Sequence, residues 1–210
     1  VGLLRVDYRG LEALCADDAR WNFHPSAAAL SAADREMLTR VVLDQFRRKL
    51  AISCRCLQET PQQQIRRRAE QNLNEFWGLD PYLNELRTAS RFVRLGQSTR
   101  PAEGFSLNER SALGRFLRQR LDLNTADYLA FLDGLLTLLV GQGLLLRLEP
   151  VDDHQFFQLD AARLLWRFGD GSPPPPDPLY SRRAVRDGYV DAPTPVNAFF
   201  QRFYRESATA

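Results

Sequence analysis

The chain has 210 residues, 44% of them hydrophobic and 26% charged, and a formal net charge of +2. That balance belongs to a folded globular chain and excludes an acidic or basic disordered tail. No apolar run reaches the roughly 18–20 residues of a membrane helix, because Leu135 to Leu146 is interrupted by Gly141, Gln142 and Gly143. A cytoplasmic chain with no membrane partner is expected.

In chain order, four helix starts are marked by a side-chain acceptor placed before amides that have no partner in the first turn. These are Ser31 with Asp34, Thr60-Pro61 with Gln63, Ser106 with Glu109, and Asn124 with Asp127. The first long helix is expected from Ala32 to about Ile52, with Leu38, Val41, Val42, Phe46 and Leu50 on one face and Arg40, Asp44, Arg47 and Arg48 on the other. This is the pattern of a surface helix packing one side inward. The second is expected from Pro61 to about Phe76 and carries Arg66, Arg67 and Arg68. Arg91 to Leu95 suits a short strand, and the polar stretch Gln97 to Gly104 suits a boundary loop.

From Ser106 onward the periodicity gives a helix over Leu107 to Leu121 and a second, apolar on most sides, over Thr125 to Val140, stopped by Gly141 and Gly143. Leu144 to Leu148 and His154 to Leu159 then flank Pro150-Val151-Asp152-Asp153 as a hairpin would. Helix, helix, glycine stop and hairpin is the order of a winged helix. Four consecutive prolines, Pro173 to Pro176, impose a stiff extended spacer. Thr194-Pro195 opens a last helical pattern that has no stop signal before Ala210.

The fold class expected is therefore mainly α with a small β-hairpin: a helical subdomain over 1–100, a winged-helix-like unit over 101–168, a Gly/Pro-rich spacer and loop over 169–194, and at 195–210 the start of a helix leading into a following domain. That run-on helix, with Val1 at the start and Met37 the only methionine, suggests a segment of something longer.

Catalytic signatures are missing. The sequence has no phosphate-binding glycine loop of the G-x-x-x-x-G-K-[ST] or G-x-G-x-x-G kind, no H-E-x-x-H and no G-x-S-x-G. Asp17-Asp18 and Asp152-Asp153 are acidic pairs, the second on the hairpin turn, where Asp is ordinary. Cys54-Arg55-Cys56 is a lone C-x-C, too little for a structural zinc site. With Cys15 these are expected to be reduced, buried thiols, and neither a catalytic residue nor a metal site is assigned.

Basic residues are one lysine, Lys49, and 27 arginines. Arginine reads phosphates and stacks on bases, although a GC-rich coding sequence yields the same bias. By region, residues 1–100 hold 16 basic and 12 acidic residues, 101–160 hold 5 and 9, and 161–210 hold 7 and 5. The winged-helix-like unit is thus the acidic part, and its second helix has Asp127 and Asp133 with no cation. It suits a scaffold better than a groove reader, which phosphate would repel. The candidate nucleic-acid contacts lie elsewhere: Arg47, Arg48, Lys49, Arg66, Arg67 and Arg68, with Arg182, Arg183 and Arg186 after the proline spacer.

Several stretches together resemble one family: Leu4 to Glu12 (LRVDYRGLE), Phe46 to Ile52 (FRRKLAI), Arg110 to Arg118 (RSALGRFLR), Trp166 to Leu179 (WRFGDGSPPPPDPL) and Val196 to Tyr204 (VNAFFQRFY). They are similar to the region between the two RecA-like motor domains of very large bacterial DEAD/DEAH-box helicases of superfamily 2, including those of Druantia- and DISARM-type anti-phage defence systems. The resemblance implies an ATP-dependent DNA helicase whose ATP, magnesium and catalytic residues belong to the flanking RecA-like domains. It implies as partners those domains, DNA and other defence-system subunits. For this chain it implies an accessory region that braces the motor and contacts DNA without sequence preference. A protein-interaction adaptor and a free-standing winged-helix regulator are the alternatives.

Overall fold

The computed structural model describes residues 4–74, 78, 87–98, 103–169 and 178–179. The expected mainly-α chain is in fact mixed, with seven strands in two sheets among these residues. The elements are β1 (Leu4–Tyr8), α1 (Leu11–Ala16), a 3-10 turn (Asp18–Trp21), α2 (Pro25–Ala28), α3 (Ala32–Arg48), β2 (Ile52–Ser53), a second 3-10 turn (Arg55–Leu57) and α4 (Glu59–Asn72). They continue with β3 (Phe92–Arg94), β4 (Phe105–Ser106), α5 (Ala112–Leu121), α6 (Thr125–Gly141), β5 (Leu145–Arg147), β6 (Gln155–Asp160), a third 3-10 turn (Ala161–Arg163) and β7 (Leu164–Phe168).

Strand β6 organises the larger sheet. On one side it pairs antiparallel with β5, Leu145 opposite Leu159, and on the other it takes β3 antiparallel, Phe92 opposite Phe157, and β2 parallel, Ile52 opposite Leu159. The hairpin expected from the sequence is present, and Val151 bridges His154 at its tip. β4 extends the sheet parallel to β3. The expected boundary loop at 97–104 therefore joins two directly paired strands. The smaller sheet pairs β1 with β7, far apart in the sequence, Val6 against Trp166.

The core lies between this sheet and α3, α5 and α6. Phe46 of α3 stacks on Phe92 of β3 with centroids 4.3 Å apart. Helix α6 buries Tyr128, Phe131, Leu132, Leu135, Leu136 and Leu139, and its axis turns 104° from that of α5. Against the middle of α6 packs the α1–α2 region, Phe23 lying 5.7 Å from Phe131.

Helix ends follow local chemistry. Ser31 accepts the Asp34 amide and Asn124 accepts the Asp127 amide, as the capping pattern requires. α3 stops at Arg48, short of Ile52, because Leu50 adopts φ 52° and lets the Ala51 amide reach back to the Phe46 carbonyl. α6 ends the same way on Gly143, φ 69°, where glycine takes the left-handed conformation without a Cβ clash.

Two starts differ from expectation. α5 begins after Ser111, not Ser106: the Leu107 amide already bonds the Val93 carbonyl, and the Asn108 side chain forms a turn by accepting the Arg110 and Ser111 amides. α4 begins at Glu59 rather than Pro61, and proline fits because an amide in the first turn has no helical acceptor. The proline spacer and the helix expected over 195–210 lie outside the described residues.

Candidate functional site

The arginines nominated from the sequence separate into two kinds. At the end of α3, Arg47 pairs with Asp44 at 3.2 Å, and Asp44 also accepts the Tyr8 hydroxyl at 2.7 Å. Burial and the adjacent Asp44 charge push the Tyr8 phenol well above its ordinary range. The Lys49 ammonium lies 5.3 Å from the centre of the Phe105 ring, and its carbonyl accepts the Ser90 hydroxyl. Arg47 and Lys49 thus serve the fold, while Arg48 is exposed. Arg182, Arg183 and Arg186 lie outside the described residues.

Arg66, Arg67 and Arg68 stand differently. They lie on α4, a helix whose only buried side chain is Ala69, with Ile65 41% exposed. Arg67 and Arg68 are exposed and Arg66 is half-buried, and none of the three forms an ion pair among the described residues. The helix is held from below by its first turn, where Gln62 donates to the Cys56 carbonyl at 2.5 Å. Gln63 donates to Glu59 one turn back, a pair that orders the polar N-terminal turn.

A polar cleft of about 340 Å³ opens between α6, the end of β3 and the β5–β6 hairpin. Arg94 grips Asp133 of α6 through two nitrogens, at 2.8 and 3.1 Å. Asp153, on the hairpin turn, accepts the amides of Gln97 and Ser98, and His154 accepts the Gly96 amide through Nδ1 at 3.0 Å. Desolvation raises the Asp153 carboxyl, but these amide donors and His154 together outweigh it and hold it below the usual range. Gly96 is required there, since a Cβ would overlap the Asp153 carboxylate. Arg147, over the Phe157 ring at 5.8 Å, is the cleft's cation without an ion pair among the described residues. Asn124 caps the helix and also donates to the Asp127 carboxylate, and the exposed residues of α6 are Thr125, Ala126, Asp127, Ala130, Asp133, Thr137 and Gly141, none of them a cation.

The β1–β7 ribbon was not legible as a pair in the sequence. Leu4, Val6 and Tyr8 lie opposite Phe168, Trp166 and Leu164, so they share one face. That face is buried at Tyr8 and open at the other end, where Leu4 is 61%, Trp166 72% and Phe168 94% exposed. The other face carries Arg5 and Arg167, the latter 3.2 Å from Asp7. The alternation along Leu164 to Phe168 was the available signal, obscured by the Gly/Pro run that follows.

The remaining titratable candidates have structural roles. Asp17 pairs with Arg20, and Asp18 with the buried Arg35. His24 accepts the Ser26 amide as the cap of α2. Among the described residues no group of three His, Cys, Asp or Glu side chains could hold a metal ion. Cys15 is buried, which pushes its thiol up to about 11. The expectation of buried thiols fails for the other two: Cys54 is half-buried and Cys56 exposed, because they flank a surface 3-10 turn. No helix among the described residues is long and apolar enough to cross a membrane.

Compared with known proteins, the chain matches no family model, no curated protein and no solved structure.

Proposed function

We propose that this chain is a non-catalytic accessory region of a nucleic-acid motor, holding DNA weakly and without sequence preference through α4 while a winged-helix-like unit braces the neighbouring domains. The observation that carries it is the row Arg66, Arg67 and Arg68 on a helix that buries only Ala69, with no carboxylate partner among the described residues. Cations left unpaired on an exposed helix suit phosphate neutralisation, which carries no sequence information.

The winged-helix reading rests on element order and pairing. α3, β3, α5, α6 and the β5–β6 hairpin follow in that sequence, β3 pairs with β6, and α5 meets α6 at 104°. α6 would then occupy the recognition position. Its exposed side has small residues and two aspartates, one held by Arg94 and one by Asn124, with no cation, which supports a bracing role over base reading. The helicase parentage, and a place in anti-phage defence, rest on the sequence resemblance.

The test is binding of a labelled single strand and a labelled duplex to the whole chain, followed by fluorescence anisotropy across a salt series. The triple variant R66E/R67E/R68E should lose roughly tenfold or more in affinity at low salt, and the slope of log affinity against log salt should fall by about 2–3. The chain should show no ATP hydrolysis of its own. Unaltered DNA binding by the triple variant would overturn the assignment.

A second reading, a protein-interaction adaptor, is favoured by the exposed apolar end of the ribbon at Leu4, Trp166 and Phe168. Absence of DNA binding by the unmodified chain would favour it.

A further inference from the structure

Cys54 and Cys56 sit at the joint between β2 and α4. Cys54 ends the extended segment, with φ −142° and ψ 137°, and Cys56 lies in the 3-10 turn that follows. Across this joint the two Sγ atoms approach to 2.9 Å as free thiols. A disulfide bond is about 2.05 Å long, so bond formation needs the sulfurs to close by roughly one more ångström. The turn can supply that motion, because none of Arg55, Cys56 and Leu57 is buried.

We propose that Cys54 and Cys56 form a redox-active dithiol that exchanges with low-molecular-weight disulfides and closes to an intramolecular disulfide. The two sulfurs are not equivalent. Either sulfur can donate across this contact, and the hydrogen bond with Cys56, together with the amides of Cys56 and Leu57, holds Cys54 below the ordinary thiol range. The same contact, desolvation and the neighbouring Cys54 charge hold Cys56 above it. Cys54 is therefore the attacking thiolate and Cys56 the resolving thiol.

In the first step the Cys54 thiolate attacks one sulfur of the small disulfide, forming a mixed disulfide and expelling one thiolate. Cys56 then loses its proton to that thiolate or to solvent, attacks the Cys54 sulfur and expels the second thiol. The protein dithiol is oxidised by two electrons, and the small disulfide is reduced to two thiols. Cys15, buried on the inner side of α1, takes no part. The ring forms at the foot of α4, where the Cys56 carbonyl holds Gln62 and the Leu57 carbonyl accepts the Ala89 amide.

The experiment equilibrates the whole reduced chain with graded mixtures of oxidised and reduced glutathione, quenches with acid, and maps thiols by alkylation and mass spectrometry. The expected product has lost two hydrogens, links Cys54 to Cys56, leaves Cys15 free until the chain is unfolded, and reverts with dithiothreitol. C56S, whose serine hydroxyl can donate to Cys54, should trap glutathione on Cys54. At neutral pH it should do so severalfold faster than C54S traps it on Cys56. Glutathione carried separately on both cysteines of the unmodified chain, with no linked species at any ratio, would overturn the dithiol. Faster trapping by C54S would overturn the order of attack.

Discussion

Tyr128 and Tyr8 show how the same group can matter differently at two depths. The Tyr128 hydroxyl donates to the Leu107 carbonyl at 2.8 Å in the core, where neither atom has water to fall back on. Burial holds its phenol well above the ordinary range, so it remains a donor across the accessible pH. Tyr128→Phe is expected to cost about 1–2 kcal/mol in urea unfolding, because it strands a buried carbonyl. Tyr8→Phe should cost less, since Asp44 is half-exposed, keeps Arg47 and can take water. Equal losses in the two variants would contradict this account. At this scale the sequence was informative where one residue completes a local motif, as Ser31 and Asn124 do. It misled at Ser106, whose capping role was pre-empted by a β bond between Leu107 and Val93 some way back in the chain.

Two helices of similar length have opposite dependence on the rest of the protein. α6 spans 17 residues and buries six large side chains, so its backbone opens only when the core does. α4 spans 14 residues and buries Ala69 alone, so its hydrogen bonds face water along most of its length. Hydrogen–deuterium exchange should follow that difference, with α4 amides exchanging at least about a hundredfold faster than those of α6. Comparable protection in the two would mean that α4 has a covering partner. Among the described residues, Ile65 of α4 and Leu73 just beyond its end are exposed. The long elements α3 and α6 were legible because each repeats its apolar positions over several turns. β2 and β4 have two residues each, too short for any period, and only their partners define them.

At the scale of the described fold, segments far apart in the sequence are tied together at β1 and β7. Asp7 of β1 meets Arg40 of α3 at 2.9 Å and Arg167 of β7 at 3.2 Å, so one carboxylate joins the ribbon to the body. Partial burial pushes Asp7 up, but the Tyr8 amide and the two arginines outweigh it and leave the carboxyl below its ordinary value. A depressed pKa in the folded state stabilises above the unfolded value, about 3.9 for aspartate, and that contribution disappears as pH falls through the folded one. Asp7→Asn should therefore lower the urea midpoint near neutral pH. The gap from the parent chain should narrow progressively below about pH 4. A gap unchanged down to pH 2 would show that Asp7 acts by shape and not by charge.

The sequence by itself determined the elements whose information is local: the caps of α3 and α6, the stop at Gly143, the β5–β6 hairpin and the absence of a familiar catalytic motif. It also located Arg66, Arg67 and Arg68 on one helix. Tertiary structure decided what those residues can do. It consumed Arg47 and Lys49 in contacts with Asp44 and Phe105, left the α4 arginines without an ion pair among the described residues, and brought β1 to β7 and β3 to β6 across long stretches of chain. It also placed the sulfurs of Cys54 and Cys56 2.9 Å apart. The physical reason is one of range. Capping and periodicity act within a turn or two, whereas strand pairing and the competition of a cation for its carboxylate are settled only when distant segments meet.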